Sequence, residues 1–149
     1  MKKLIFTTLF LTISFNLQAD IFSSLQKQIN NEEKMIKFFN KLYACEKATV
    51  RDKFFQYDIE GVNNENLCVM TIQNKYSMRQ CEFSVLQARK ISDAEVNIRN
   101  SRIESIISYG DDIKNNNISE DSANYSDNIG YSNELNQALN NVNTCYYLD

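Results

Sequence analysis

The chemistry open to this chain is limited by a missing residue type, because its 149 residues include no histidine. Serine triads, cysteine–histidine pairs and histidine-ligated zinc sites are therefore excluded. Hydrolysis would have to use carboxylates, as glycosidases do with two acids about 5 to 9.5 Å apart. Asp58, Glu60 and Glu82 are the candidate acids. Acids on an exposed strand face more often keep a sheet soluble, so we predict no catalytic residue.

The four cysteines are the other reactive side chains. Their successive spacings of 23, 13 and 64 residues contain no Cys-x-x-Cys pair, which disfavours zinc binding and thiol exchange. Four cysteines in a short exported chain are typical of two structural disulfides. We therefore expect the sulfur atoms to stabilise the fold, and three pairings are possible.

No metal or cofactor site is predicted. The Asp- and Asn-rich tail offers oxygen ligands, but placing Gly110 or Gly130 at the sixth position of an EF-hand loop puts Ser105 or Tyr125 at the first position. That position requires a carboxylate. The tail therefore does not fit this type of calcium site.

The elements that would carry these residues follow from the spacing of apolar side chains. Spacings of three and four from Asp20 to about Lys47 predict a long amphipathic helix. Alternation then predicts a three-stranded antiparallel meander near residues 55–60, 68–73 and 76–85. Arg79 also falls on the apolar face of this meander, which is unexpected for a core. The predicted core face contains Phe55, Tyr57, Ile59, Cys68, Met70, Ile72, Cys81, Phe83 and Val85.

The strand register suggests a disulfide pairing. A two-residue turn at Asn74-Lys75 places Cys68 opposite Cys81 in a non-hydrogen-bonded pair, which a disulfide can bridge. Cys45 would then pair with Cys145. Because lysine at the second turn position is poorly suited to positive φ, a longer loop or a bulge is the alternative.

The second half of the chain contains two further predicted helices. Ser92 and Glu95 form a capping-box pattern that predicts a helix start, and Gly110 is placed to end that helix. Residues 111–131 are polar and predicted to be mobile, and a short terminal helix follows from Ser132. The predicted fold is therefore one α+β domain with two disulfides: a long N-terminal helix, a three-stranded meander, a helix and a short C-terminal helix. We find no internal repeat.

The first nineteen residues have the composition of a secretory signal. Lys2 and Lys3 precede an apolar stretch at residues 4–15, and Ala19 is a suitable cleavage site. The alternative is a membrane anchor, but a span needs about 20 apolar residues. We predict a signal peptide at 1–19, a mature domain at 20–149 and a periplasmic or secreted location.

Removal of Lys2 and Lys3 changes the formal charge from −3 to −5. Residues 110–149 contain one basic residue, Lys114, and seven acidic ones. Without a basic stripe the chain has no means of neutralising phosphates, so nucleic acid and anionic lipid are disfavoured as partners.

The solvent side of the predicted meander is more apolar than solubility requires. This face is a candidate surface for a protein partner in the envelope or outside the cell. The alternative is that the second helix or the tail covers it. Its candidate residues are Phe54, Val69, Thr71, Tyr76 and Met78.

Several short stretches, Cys45, 57–61, 66–69 and 81–83, together resemble small periplasmic proteins of unknown function from Gram-negative bacteria. The resemblance implies a periplasmic location and a disulfide-containing α+β fold, and it supplies no active residues. We expect a non-catalytic exported binding or accessory protein, such as an inhibitor, an immunity protein or a host-facing factor. The alternative is a carboxylate-dependent hydrolase acting on envelope glycans.

Overall fold

The computed structural model describes residues 3–115 and 130–148, with side chains from Ala19 onward. Within these residues it is an α+β fold with three helices and one five-stranded antiparallel sheet, in the order β1-β2-β3-β4-β5. This general class and the presence of two disulfides confirm the prediction. The elements are α1 Lys3–Tyr43, β1 Ala48–Arg51, β2 Gln56–Val62, β3 Leu67–Gln73, β4 Met78–Ser84, α2 Val85–Lys114, α3 Asn133–Asn140 and β5 Cys145–Leu148.

The predicted three-stranded meander is β2, β3 and β4, and the prediction missed both edge strands. β1 and β5 are each four residues long. A segment of that length contains too few alternations to reveal a strand period. Both become strands because they pair with a longer neighbour, β1 with β2 and β5 with β4.

The predicted register of the β3–β4 hairpin is wrong by two residues. Gln73 lies opposite Met78, so residues 74–77 form a four-residue loop and Cys68 lies opposite Phe83. The alternative of a longer loop is therefore the correct one. A bulge also occurs, at Glu60 between β2 and β3, next to Gly61 with φ 105°.

A two-residue shift preserves the face on which each side chain lies, so most of the predicted core is confirmed. Val85 is an error: it is the first residue of α2 and is exposed. Arg79 is half-buried, and its guanidinium lies 4.4 Å from the centre of the Tyr147 ring. The helices contribute Met35, Phe38, Phe39, Leu42, Ala88, Ile91, Leu135 and Ala138 to the same core.

Helix α1 ends earlier than predicted, and its end redirects a cysteine. The Cys45 N–H donates to Leu42 O and the Glu46 N–H to Lys41 O, and Cys45 has φ 52°. This is a Schellman ending with cysteine in the left-handed position that glycine usually occupies. Cys45 therefore leaves the helical stripe and pairs with Cys68 on β3, with a Cα–Cα distance of 5.7 Å.

The second disulfide joins Cys81 to Cys145, so both predicted pairings are wrong. Asn141 caps the end of α3, and the chain continues as β5 instead of extending the helix. Cys145 then lies directly opposite Cys81 in the β4–β5 ladder, with a Cα–Cα distance of 4.1 Å.

Helix α2 is longer than predicted at both ends. It begins at Val85, where the Ser84 hydroxyl accepts the Gln87 N–H, and it continues through Gly110 to Lys114. Gly110 is therefore an internal helical residue. A Cβ built on it would lie 3.5 Å from Leu25 of α1, which shows a close approach of the two helices.

Most of the segment predicted to be mobile, residues 116–129, lies outside the described residues. Among the described helices, none is both long and apolar enough to cross a membrane.

Candidate functional site

The structure does not bring the three candidate acids together at one site. Asp58 and Glu60 lie near the β1 edge, where they line a shallow depression of about 590 Å³ with Lys47 and Thr49. Glu82 lies on β4, two strands away from β2, a separation of about 10 Å across the sheet alone. Two of the three acids are also hydrogen-bonded where they lie. The Asp58 carboxylate accepts from Thr49 at 2.6 Å, and Glu82 accepts from Tyr146 at 2.8 Å.

The predicted partner face divides into buried and exposed residues. Val69 and Thr71 are buried on the central strand, between side chains of β2 and β4, and Met78 is half-buried. Phe54 is 68% exposed and Tyr76 is 86% exposed. The described helices pack on the opposite face of the sheet, so neither α2 nor α3 covers these rings. The accessible part of the predicted face therefore lies in two loops, not along the strands.

The first loop, residues 52–55, connects β1 to β2 and is held by Asp52. Its Oδ1 accepts the N–H groups of Phe54 and Phe55, each at 2.7 Å. The Asp52 N–H donates to Phe55 O at 2.9 Å. These bonds fix the loop backbone and leave the Phe54 ring in solvent, with Lys53 Nζ 5.2 Å from the ring centre.

The second loop, residues 74–77, connects β3 to β4 and repeats this arrangement. Asn74 Oδ1 accepts the N–H groups of Tyr76 and Ser77, each at 2.8 Å. The Asn74 N–H donates to Ser77 O at 2.9 Å. Lys75 Nζ lies 5.4 Å from the centre of the Tyr76 ring. We call residues 52–55 and 74–77 the twin loops.

The twin loops lie side by side at one end of the sheet. Gln56, which follows the first loop, is opposite Gln73, which precedes the second. Each loop joins two neighbouring strands, so their centres are two strand spacings apart, about 10 Å. The hairpin at the other end, residues 63–66, contains three asparagines and a glutamate.

Among the described residues, the twin-loop end carries more basic than acidic side chains, although the chain as a whole is acidic. Lys53 and Lys75 are exposed beside the two rings, and Arg51 is exposed at the end of β1. Asp52 is the one acid within the described twin loops, and its oxygens face loop N–H groups and the Tyr57 hydroxyl. The cations at this end are therefore available to an anionic partner.

A chain of hydroxyl groups fastens the first loop to the core. Tyr57 donates to Asp52 Oδ2 at 3.1 Å, so Tyr131, whose oxygen is 2.7 Å from that of Tyr57, donates to Tyr57. Burial, together with the adjacent Tyr131 and the Asp52 charge, raises the pKa of Tyr57 above its ordinary value. Burial likewise raises the pKa of Tyr131. Both phenols therefore stay neutral hydrogen-bonding groups at physiological pH.

Sequence reasoning missed a buried ionic cluster between the helices. Arg99 Nη1 lies 2.9 Å from Glu32 and Arg99 Nη2 lies 3.1 Å from Glu95, with all three side chains at most 5% exposed. Glu95 also accepts the Ser132 N–H at 2.7 Å. The cluster joins α1, α2 and the start of α3, so its role is structural.

Ser92 and Glu95 do not start α2, as the capping-box pattern predicted. Ser92 is buried and donates to Phe39 O at 2.7 Å, which ties α2 to α1. Both residues lie inside the helix, and their polar groups bind neighbouring elements. Polar residues that make tertiary contacts can therefore have the same spacing as a helix-capping pattern.

The described residues contain no group of three His, Cys, Asp or Glu side chains that could hold a metal ion. All four cysteines are in disulfides. This arrangement gives the described part of the chain no thiol chemistry.

The twin loops share a short signal in the sequence. Asp52-Lys53-Phe54 and Asn74-Lys75-Tyr76 share the order of a turn-forming side chain, a lysine and an aromatic residue. Asp and Asn are the residues that bind backbone N–H groups two positions onward. A repeat of only three residues is too short to be found in a search for repeats of domain size.

Comparison with known proteins gives no further guide to function. No family model, curated protein or solved structure matches this chain. The resemblance to small periplasmic proteins therefore stays a prediction.

Proposed function

We propose that this chain is a non-catalytic exported binding protein whose binding surface is the twin-loop end of the sheet. The observation that carries the proposal is the exposure of Phe54 and Tyr76 on two loops with fixed backbones. An exposed aromatic ring forgoes the free energy that burial would provide. Neither ring packs in the described core. Rigid aromatic side chains are common anchors in binding interfaces, because little conformational entropy is lost when they bind.

A photo-cross-linking residue placed at position 76 tests this surface. With an envelope extract, we expect discrete adducts from position 76 and none from position 97, which is exposed on α2. The substitution Phe54→Ala should weaken the position-76 adduct, because the neighbouring loop contributes to the same surface. Equal labelling from both positions, or no adduct from position 76, would contradict the proposal.

Export is the second part of the proposal. Two disulfides favour an oxidising compartment. Cleavage after Ala19 would also keep Phe22 and Leu25, the α1 residues that lie closest to Gly110 of α2, in the mature chain. The intact mass of the protein recovered after export should correspond to a chain that starts at Asp20. A membrane-bound form that keeps Met1 would instead indicate an anchored protein.

A further inference from the structure

We infer that the twin loops bind a linear acidic polysaccharide, with each loop contacting one of two successive disaccharide units. The inference rests on the binding function proposed above and names the class of ligand. It starts from the repetition within the site.

The site is repeated by translation across the sheet. Both loops have the same length, the same three backbone hydrogen bonds and the same order of lysine and aromatic ring. A ligand that contacts both loops in the same way must itself repeat along its length. The separation of about 10 Å is close to the length of a disaccharide in an extended polysaccharide. The sheet twist of about 20–25° per strand rotates the second loop relative to the first, as successive units of a polysaccharide are also rotated.

Each loop offers the two groups that recognise an acidic sugar. The flat face of an aromatic ring packs against the C–H groups on one face of a pyranose. The lysine amine beside the ring, 5.2 Å away in one loop and 5.4 Å in the other, can donate to a sugar carboxylate. The oxygens of Asp52 accept from the loop N–H groups and from Tyr57, which offsets part of its negative charge.

The repetition of the open rings favours a polysaccharide over an acidic protein. Phe54 and Tyr76 project as open platforms, and neither lines the depression along the β1 edge or a second depression on α2 beside Ser105 and Tyr109. An open platform gives a sugar ring access to the whole face of the aromatic side chain. The surface of an acidic protein does not in general repeat equivalent groups at the spacing of the loops.

Chain-length dependence gives the sharpest test. Hyaluronate oligosaccharides carry one carboxylate per disaccharide, so a disaccharide can occupy one loop and a hexasaccharide can occupy both. By isothermal titration of the disulfide-bonded protein, we expect the hexasaccharide to bind about tenfold more tightly or better. Phe54→Ala and Tyr76→Ala should each remove this gain while binding of the disaccharide persists through the other loop. Lys75→Gln should lower the affinity and its dependence on salt.

Tyr43→Ala is the matched control, because Tyr43 is also an exposed ring beside a cation, Arg89, but lies outside the twin loops. It should leave both affinities unchanged, and neutral dextran oligosaccharides should not bind. Circular dichroism of each variant verifies folding.

The inference is overturned if the two hyaluronate lengths bind equally, if the loop variants bind like the wild type, or if polyglutamate binds as well as hyaluronate. Absence of hyaluronate binding together with a persistent position-76 adduct would reject the ligand class and keep the binding function. Absence of both would reject both.

Discussion

Tyr57 makes the stability of the fold sensitive to alkaline pH. Its folded pKa lies above the ordinary value of about 10, chiefly because the phenol is buried. Above about pH 10 the unfolded chain loses the phenolic proton while the folded chain keeps it, so the free energy of unfolding decreases as pH rises. We expect the urea midpoint of Tyr57→Phe to fall less between about pH 9 and 11 than that of the wild type.

The matched control is Tyr76→Phe, because the Tyr76 ring is exposed on the second loop. Its midpoint should follow the wild type across this pH range. At neutral pH, Tyr57→Phe should cost about 1 to 3 kcal/mol, since Asp52 loses a donor. Parallel pH profiles for Tyr57→Phe and the wild type would show that Tyr57 does not cause the alkaline loss.

Arg99 should be among the side chains on which stability depends most. Arg99→Met leaves Glu95 buried without its cation, and among the described residues Glu32 keeps Arg102, 3.7 Å away. Breaking a buried ionic group costs about 3 to 5 kcal/mol, which urea unfolding measures directly. Lys114→Met removes an exposed ion pair with Asp111 and should cost about 1 kcal/mol or less. If both variants lost a similar free energy of unfolding, the buried cluster would contribute no more to stability than an exposed ion pair.

At the residue scale, sequence reasoning identified polar residues more easily than their partners. It singled out Ser92 and Glu95 but assigned them to a helix start, because a local pattern is visible and a partner on another element is not. Phe54 and Tyr76 of the predicted outer face are exposed, whereas Val69 and Thr71 are buried. Alternation identifies the outer face of a strand but not the depth of that strand within the sheet.

At the element scale, the position of Gly110 inside α2 predicts the sign of a mutation. An alanine Cβ would meet Leu25 at 3.5 Å and Phe22 at 3.7 Å, which are ordinary contact distances. Gly110→Ala should therefore stabilise the protein by about 1 kcal/mol, because alanine favours helix more than glycine. Thermal unfolding measures the change. A glycine with positive φ at a helix end would give the opposite sign, so destabilisation would support the boundary predicted from the sequence.

Long elements were predicted well and short ones were not. The apolar stripe of α1 and the alternation in β2, β3 and β4 extend over enough residues to define a period. β1 and β5 depend on a partner strand, and that information is not local. The alternative of a longer loop is correct: residues 74–77 form it, and the hydrogen bonds to Asn74 hold it.

Across the whole molecule, the two disulfides should contribute unequally to stability. The chain-entropy model gives about 3 kcal/mol for the loop between Cys45 and Cys68 and about 4 kcal/mol for the larger loop between Cys81 and Cys145. The double substitution Cys81→Ala with Cys145→Ala should therefore be the more destabilising. It should also raise hydrogen exchange in β5 before exchange rises in β3.

The matched control is Cys45→Ala with Cys68→Ala, which should leave β5 protected. Uniform loss of protection in both double variants would show that the sheet unfolds as one unit. Peptide mapping without reductant checks the pairing itself. This pairing could not be predicted from the sequence, because it depends on the register of one hairpin. A shift of two residues changes the residue opposite Cys81 from Cys68 to Met70.

The disulfide pattern has a consequence for the order of oxidation. The cysteines are joined in their order along the chain, the first to the second and the third to the fourth. In a chain that enters an oxidising compartment N-terminus first, Cys45 meets Cys68 before the other two thiols arrive. An oxidant that joins cysteines in their order of arrival therefore forms both native bonds, and thiol–disulfide reshuffling by an isomerase is not required. The long interval before Cys145 makes closure of the β4–β5 edge the last covalent step.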